Sequence, residues 1–412
     1  MNKRPFLTHE QALSIMAQYP TPFHIYDAKG IQANMAAFND AFRWNTGFKN
    51  YFAVKATPTP AILRILQAED SGFDCSSLTE LALMEKLGIS GEQIMFTSNN
   101  TAVVAFKKAR EMNVIINLDD LNHLTYLEQH ASLPDVISFR YNPGTLKSGN
   151  TIIGHPQESK FGITKGQLFE GYRLAKDKGI TRFGLHTMVA SNELNHAYFV
   201  ETAVLLFELI AELSSQLGIH FEFVNLGGGL GIPYRPDETA VDLQQVSHGI
   251  QQAYRQIIVA NGLPDLRLFM ECGRFITGPF GLLISKVQHV KQSYKTYIGL
   301  DANMNHLMRP ALYGAYHHIS IFGKEGVKPQ DEVDVTGSLC ENNDKFAINR
   351  LLPHLDVEDI IAIHDTGAHG HAMGFNYNGK LRSGELLLKE NGTIVEIRRP
   401  ETIEDYFGPM KF

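Results

Sequence analysis

The chain has 412 residues, 44% hydrophobic and 20% charged, with a formal net charge of −7. This is a globular composition of two-domain length, and its acids and bases are mixed, with no basic patch for nucleic acid and no polybasic tail for a membrane. Three cysteines, Cys75, Cys272 and Cys340, stand far apart in odd number and argue against a disulfide framework or a zinc site, so no metal is expected. The opening "MNKRPFLTHEQALSIMAQYP" lacks the apolar core of a signal peptide, and no apolar run reaches the roughly 18 residues of a spanning helix. A cytoplasmic protein is expected.

The first strand-like run is "NYFAVKA", residues 50–56, which reads as a buried strand with one lysine, Lys55, inside it. That lysine has two readings: a strand-end cation that reaches water or a carboxylate, or an amine pocketed with a lowered pKa for carbonyl chemistry. Strand candidates then recur as "GFDCSS", "QIMFTSN", "NVIINLD", "VISFRYN", "FGLHTMV", "FEFVNLG" and "RLFMECG". Helix-like stretches such as "PAILRILQAE", "LTELALMEKLG" and "NHAYFVETAVLLFELIAELSSQLG" separate them. Alternation of strand and helix predicts a parallel sheet, and eight such units fit an α/β fold closed as a (β/α)₈ TIM barrel; an open doubly wound sheet is the competitor. After residue 276 the pattern changes to "GLLISKVQHV", "TYIGLD", "HHISIFG", "EVDVTGS", "DIIAIHD" and "GELLLKENGTIVEIRR", with "ENGT" as a hairpin turn. The expected division is therefore a barrel over 25–275, followed by a C-terminal β-rich domain built from 1–24 and 276–412.

Barrel enzymes carry their chemistry at the C-terminal ends of the strands. Here those ends offer Lys55, then Asp74, Ser76 and Ser77, then Ser98 and Asn99, Asp119, Arg140 and Asn142, His186 and Ser191, Gly227 to Gly229, and Glu271 with Arg274. The glycines of "NLGGGLGIPY" can close bare N–H groups on a phosphate, although glycines also make tight strand–helix turns. Glu271 and Arg274 can form a rim ion pair, or a carboxylate facing a ring nitrogen with an arginine near an anion. A lysine for an aldehyde, glycines for a phosphate and a carboxylate for a pyridinium nitrogen are together the parts that hold pyridoxal phosphate.

From about residue 20 to 410 the chain resembles the barrel-type pyridoxal-phosphate decarboxylases, whose fold is shared with alanine racemase, and within them the diaminopimelate decarboxylases. The ordered motifs "YFAVKA", "SKFG", "GGGLGIPY", "ECGRF", "MRPALYGAYH", "GSLCENND" and "DTGAHGHAMGFNYNG" carry the likeness. It implies that Lys55 bonds the cofactor, that Gly227, Gly228 and Gly229 take its phosphate, and that Glu271 meets the ring nitrogen. Asp74, Arg140, His186, Ser191 and His369 join the cofactor-binding set. Arg274, Arg309 and Tyr313 match contacts to a distal substrate carboxylate. Cys340 and Glu341 match a proton donor and an ammonium partner that reach the site from a second subunit, which implies a homodimer with shared active sites acting on a small amino acid. Glu271 favours decarboxylation, since racemases of this fold place an arginine there. A decarboxylase of another amino acid with a distal carboxylate, such as a polyamine or siderophore precursor, is the alternative, ahead of a racemase or a non-enzymatic homologue. The chain departs from the family pattern at four places: Met188 stands for a ring-stacking histidine, Ala190 for a glycine, Cys272 for a proline and His369 for a tyrosine.

Overall fold

The structure, a computed structural model, describes residues 3–148, 155–263 and 265–412. It contains two compact units, one of residues 33–232 with 240–275, the other of residues 1–32, 233–239 and 276–412. The chain opens with helix α1 (His9–Met16), strand β1 (Phe23–Asp27) and helix α2 (Ala28–Phe42). Strands β2 (Lys49–Ala53), β3 (Gly72–Cys75), β4 (Ile94–Ser98), β5 (Ile115–Leu118), β6 (Val136–Tyr141), β7 (Arg182–Thr187), β8 (Phe221–Asn225) and β9 (Arg267–Met270) then run parallel. They close into a barrel, with β9 returning to β2 through Lys49–Phe269 and Asn50–Met270. Between consecutive strands lie α3 (Pro60–Ala68), α4 (Leu78–Lys86), α5 (Val103–Glu111), α6 (Asn122–Ala131), α7 (Lys165–Asp177), α8 (His196–Leu217) and α9 (Leu243–Tyr254). The TIM barrel forms, and the open doubly wound sheet does not. Local chemistry marks the helix ends. Thr164 and Gln167 exchange side-chain and backbone bonds in a capping box at the start of α7. Gly218, at φ +60°, closes α8 in the left-handed conformation that glycine adopts without strain.

The barrel interior is layered by the two-residue period of its strands. Tyr51, Met95, Ile115, Val136, Phe223 and Phe269 form one apolar layer, with the Phe223 and Phe269 rings stacked at 4.8 Å. Gly184 is small at this level because a Cβ there would lie 2.0 Å from Phe223 Cζ. Two residues further along the strands, the positions read Asp74, Thr97, Asn117, Ser138, His186, Asn225 and Glu271. An apolar plug thus supports a polar layer at the C-terminal end of the strands.

The other unit is built on β1 with β10 (Gly281–Gln292), β11 (Thr296–Leu300), β12 (Ile319–Ile321), β13 (Asp331–Thr336), β14 (Lys345–Leu352), β15 (Ile360–Ile363), β16 (Gly384–Leu388) and β17 (Ile394–Arg398). They form one nine-stranded sheet in the order β14-β13-β11-β10-β1-β16-β17, with β15 on β10 and β12 on β15. The β16–β17 hairpin turns where expected, and Gly392 supplies the positive φ of +81°. Two strands were not among those expected. One is β1. The other is β14, whose register against β13 shifts twice, so its burial does not alternate cleanly.

Candidate active site

Strand β2 stops at Ala53, three residues short of the expected end. Val54–Ala56 form a 3₁₀ turn in which Val54 and Ala56 are buried and Lys55 is exposed. The expectation of a strand running on through residue 56 is therefore corrected, and Lys55 sits in a turn with its side chain exposed. The turn presses its small side chains inward and presents the amine outward. Gly273 makes room for this turn, since a Cβ there would meet Ala56 Cβ at 2.8 Å. Burial raises the carboxyls of Asp74 and Glu80, and the charge of Lys55 works against that rise in both; it also helps to hold Glu271 down.

Glu271 follows β9 directly and is buried. Its Oε1 accepts from Asn225 Nδ2 at 2.7 Å, and its carboxylate lies 3.1–3.2 Å from His186 Nε2. Burial alone would push this carboxyl up; the His186 imidazole, then Lys55 and Arg140, outweigh it and hold Glu271 below the usual range. Asp74 goes the other way. Burial first, and the Glu271 charge second, push it well above the usual carboxylate range. Of these two buried carboxyls, the surroundings favour the charged form of Glu271 and the protonated form of Asp74. Arg140 bonds Asp119 Oδ1 at 3.4 Å and Met188 O at 3.3 Å, with its guanidinium 4.4 Å from the centre of the Phe161 ring.

Gly227 to Gly229 follow β8 and are packed as tightly as a backbone allows. A Cβ at Gly227 would lie 2.3 Å from Thr187 O, one at Gly228 2.4 Å from Glu271 O, and one at Gly229 2.5 Å from Ala190 Cβ. The loop after β7 runs alongside: Glu193 N donates to Gly229 O, Gly231 N to Glu193 O and Ile232 N to Asn192 Oδ1. This brings the half-buried Ser191 to the glycine loop. Met188 Sδ accepts from Gly228 N at 3.1 Å, so the residue standing for the stacking histidine touches the glycine loop. Cys272 is buried, bracketed by Asn50 through bonds of 2.8 and 3.1 Å, and burial pushes its thiol up into the unreactive range.

Among the described residues, Asp74 Oδ1, Asn117 Oδ1, Ser138 Oγ and His186 Nδ1 are buried without a hydrogen-bond partner in this layer. A polar layer with unspent capacity, an exposed amine, a bare-backbone loop and an ionised carboxylate fit pyridoxal phosphate.

The barrel unit contains Lys55, Asp74, Arg140, His186, Ser191, Gly227–Gly229, Glu271 and the buried Arg274. Arg309, Tyr313, Cys340, Glu341 and His369 belong to the β-rich unit. Arg309 is 2% exposed, with Nη1 3.1 Å from His317 Nε2 and Cζ 4.6 Å from the centre of the Tyr234 ring. Tyr313 is exposed at the end of a short helix, Arg309–Tyr313. Cys340 and Glu341 are exposed in a loop. Asn378 Oδ1 accepts from Cys340 N at 2.7 Å, and Glu341 Oε1 accepts from Asn343 N at 3.1 Å. His369 is half-buried at φ +55°. Asn225 was not singled out from the sequence; its signal is an amide ending the apolar run "FEFVN", two residues before the first glycine.

A family profile described as "Pyridoxal-dependent decarboxylase, pyridoxal binding domain" matches residues 28–278. Protein TabA of Pseudomonas amygdali pv. tabaci is 46% identical over 96% of this chain and 92% of its own length. The diaminopimelate decarboxylase of Methanothermobacter thermautotrophicus is 33% identical over 96% of this chain and 92% of its own. Among solved structures, the Helicobacter pylori diaminopimelate decarboxylase complexed with L-lysine superposes with TM-score 0.85 at 28% identity, covering 96% of this chain and 98% of that one. With pyridoxal phosphate as its cofactor, the chain is a carboxy-lyase and belongs to the pyridoxal-dependent decarboxylase family.

Proposed function

We propose that this enzyme removes the α-carboxylate of an amino acid that carries a second, distal carboxylate, with meso-diaminopimelate as substrate and L-lysine plus CO₂ as products. The observation that carries the reading is Arg309, a guanidinium buried and braced by His317 and Tyr234. A planar fork fixed by its neighbours loses little freedom when it takes a carboxylate through two hydrogen bonds. Likeness to diaminopimelate decarboxylases across nearly the whole chain supports the same substrate.

In this reading Lys55 would hold the cofactor through its aldehyde, its exposed amine being open to an incoming substrate. Gly227–Gly229, with Ser191 and His369, hold the phosphate. Glu271 keeps a proton on the ring nitrogen, and His186, Asp74 and Arg140 fix its charge and orientation. When bound, the pyridoxal ring supplies an electron sink for the pair left by CO₂. Cys340 Sγ–H would supply the proton that takes the place of CO₂ on the substrate. Arg274, Arg309 and Tyr313 bind the distal carboxylate, and Glu341 the distal ammonium. The exposure of Cys340 and Glu341 supports a homodimer in which this loop serves a second copy. A place in lysine biosynthesis and a cytoplasmic setting belong to the same proposal, in keeping with three unpaired cysteines.

A second reading, a different amino acid with a distal carboxylate, has its own support. Identity to TabA exceeds that to the diaminopimelate decarboxylases, and Met188 and Ala190 change the wall beside the glycine loop. The deciding experiment is CO₂ release and product identity from meso-diaminopimelate, with ornithine, lysine and carboxylated polyamine precursors beside it. L-Lysine as sole product establishes the first reading. Cofactor bound without turnover of meso-diaminopimelate sinks it in favour of the second.

A further inference from the structure

We propose that Asn225 is a positioning residue that couples the two halves of the cofactor site, tying the phosphate loop to the ring carboxylate through a single amide. This rests on the reading that Gly227–Gly229 take the phosphate and Glu271 the ring nitrogen. Asn225 ends β8 and is 0% exposed. Its Oδ1 accepts from Gly227 N at 2.9 Å. Gly227 O accepts from Glu271 N at 2.8 Å. Glu271 Oε1 accepts from Asn225 Nδ2 at 2.7 Å. The three bonds close a ring through three residues that serve two different parts of one ligand.

The amide has no slack. Its nitrogen also lies 3.1 Å from Met95 Sδ in the apolar layer, so both donors and the acceptor have partners. The loop has none either, because Gly227 sits at φ +72° with a Cβ position 2.3 Å from Thr187 O. A shift of the glycine loop therefore pulls on the carboxylate, and the reverse. Without the amide, Glu271 keeps His186 as its remaining side-chain donor and loses its tie to the loop. The titratable and charged groups that act on Glu271 and on the neighbouring carboxyl of Asp74 include His186, Lys55, Arg140 and Glu80.

Side-chain chemistry separates the two halves. Leucine at 225 keeps the shape and removes both bonds. Aspartate keeps an acceptor for Gly227 N but replaces the donor at Glu271 with a second carboxylate. The experiment uses the full-length chain and two readouts. One is the ratio of dissociation constants for pyridoxal phosphate and pyridoxal, which lacks the phosphate. The other is the pH titration of the absorbance of the lysine-bound cofactor. Asn225→Leu is expected to cut the preference for pyridoxal phosphate about tenfold and to move the titration, since a lost buried hydrogen bond is worth roughly that factor. Asn225→Asp is expected to keep the preference and still move the titration. If Asn225→Leu changes one readout alone, or thermal stability alone, the coupling is refuted. So it is if the aspartate and leucine variants behave alike. A wild type without preference for pyridoxal phosphate, together with a Glu271→Gln variant whose titration is unmoved, would overturn the underlying group assignment instead.

Discussion

The polar layer of the barrel and the 338–343 loop of the β-rich unit carry the two halves of the proposed chemistry, and they are built in opposite ways. In the barrel, functional groups hold one another inside a packed wall: Glu271 with Asn225 and His186, Arg140 with Asp119, Gly227 with Asn225. In the loop, Cys340 and Glu341 are exposed: Cys340 N donates to Asn378 Oδ1, and Glu341 accepts from the backbone N–H groups of Asn343 and Asp344 just after it. Burial makes every unpaired charge expensive, so groups that serve a resident cofactor satisfy one another inside the fold. A proton donor must meet a new substrate at each turnover, and an exposed loop suits that task. The first region is part of its own unit's core; the second is an exposed loop of the other unit.

The largest expected effect separates chemistry from packing within the barrel. Lys55→Ala should abolish turnover and the absorbance of the lysine-bound cofactor, while circular dichroism stays unchanged because the side chain is exposed. A retained band would refute the role of Lys55. Next comes the loop. Cys340→Ala should lower turnover by about 10²–10⁴-fold, the usual worth of a positioned proton donor, with the cofactor spectrum intact. Mixing it with Lys55→Ala should restore about a quarter of wild-type activity if a two-fold dimer shares its sites; no recovery would break that reading.

The glycine loop tests tightness directly. Gly228→Ala places a Cβ 2.4 Å from Glu271 O. Overpacking of this kind costs about 1–3 kcal/mol, read as a cofactor dissociation constant raised roughly ten- to a hundredfold by equilibrium dialysis.

Acid should act on the β-rich unit, and the sign follows from its histidines. Burial lowers His24 from 6.5 to about 3, His306 to about 4 and His364 to about 3. Unfolded, each takes a proton near 6.5. Their contribution to stability is therefore complete above 6.5 and is lost as pH falls toward 3–4, by up to about 1.4 kcal/mol per pH unit for each group. Asp365, raised by burial from 3.8 to about 6, and Asp344, also raised by burial, oppose this over their own windows, but burial lowers His318, to about 4, and His371 as well, so the imidazoles outnumber the carboxyls. The urea midpoint of this unit should fall between pH 7 and 4.5; an unmoved midpoint would contradict the burial of these rings. Smallest of all, Thr164→Ala removes the cap of α7 and should cost about 1 kcal/mol in thermal unfolding without changing turnover.

The barrel was legible in the sequence because its strands are buried on both faces, so runs such as "VISFRYN" stand out between helical stretches. The polar layer at the strand ends was legible because polar residues at the ends of apolar runs are conspicuous. Lys55 misled for a physical reason. "YFAVKA" has strand composition throughout, yet the chain turns at Val54, and composition does not record a turn lacking glycine or proline. Strand β14 hid behind its bulges, and β1 behind a neighbour more than three hundred residues away. Asn225 hid because its importance lies in hydrogen bonds to Gly227 and Glu271, and no local pattern encodes those.

Strand β1 has a consequence for how the chain is made. Its residues pair with β10 on one side, and on the other Phe23 pairs with Gly384 at the start of β16. At roughly 5–20 residues per second, a ribosome delivers that second neighbour on the order of half a minute after β1 emerges. For that interval a strand with four successive positions destined for burial has an uncovered edge, the kind of surface that recruits chaperones or other nascent chains. A message broken before codon 384 would encode Lys55, the glycine loop and Glu271 in full. Its product is nonetheless expected to be lost to aggregation, so intact synthesis to β16 is a condition for recovering an enzyme whose barrel residues were finished long before.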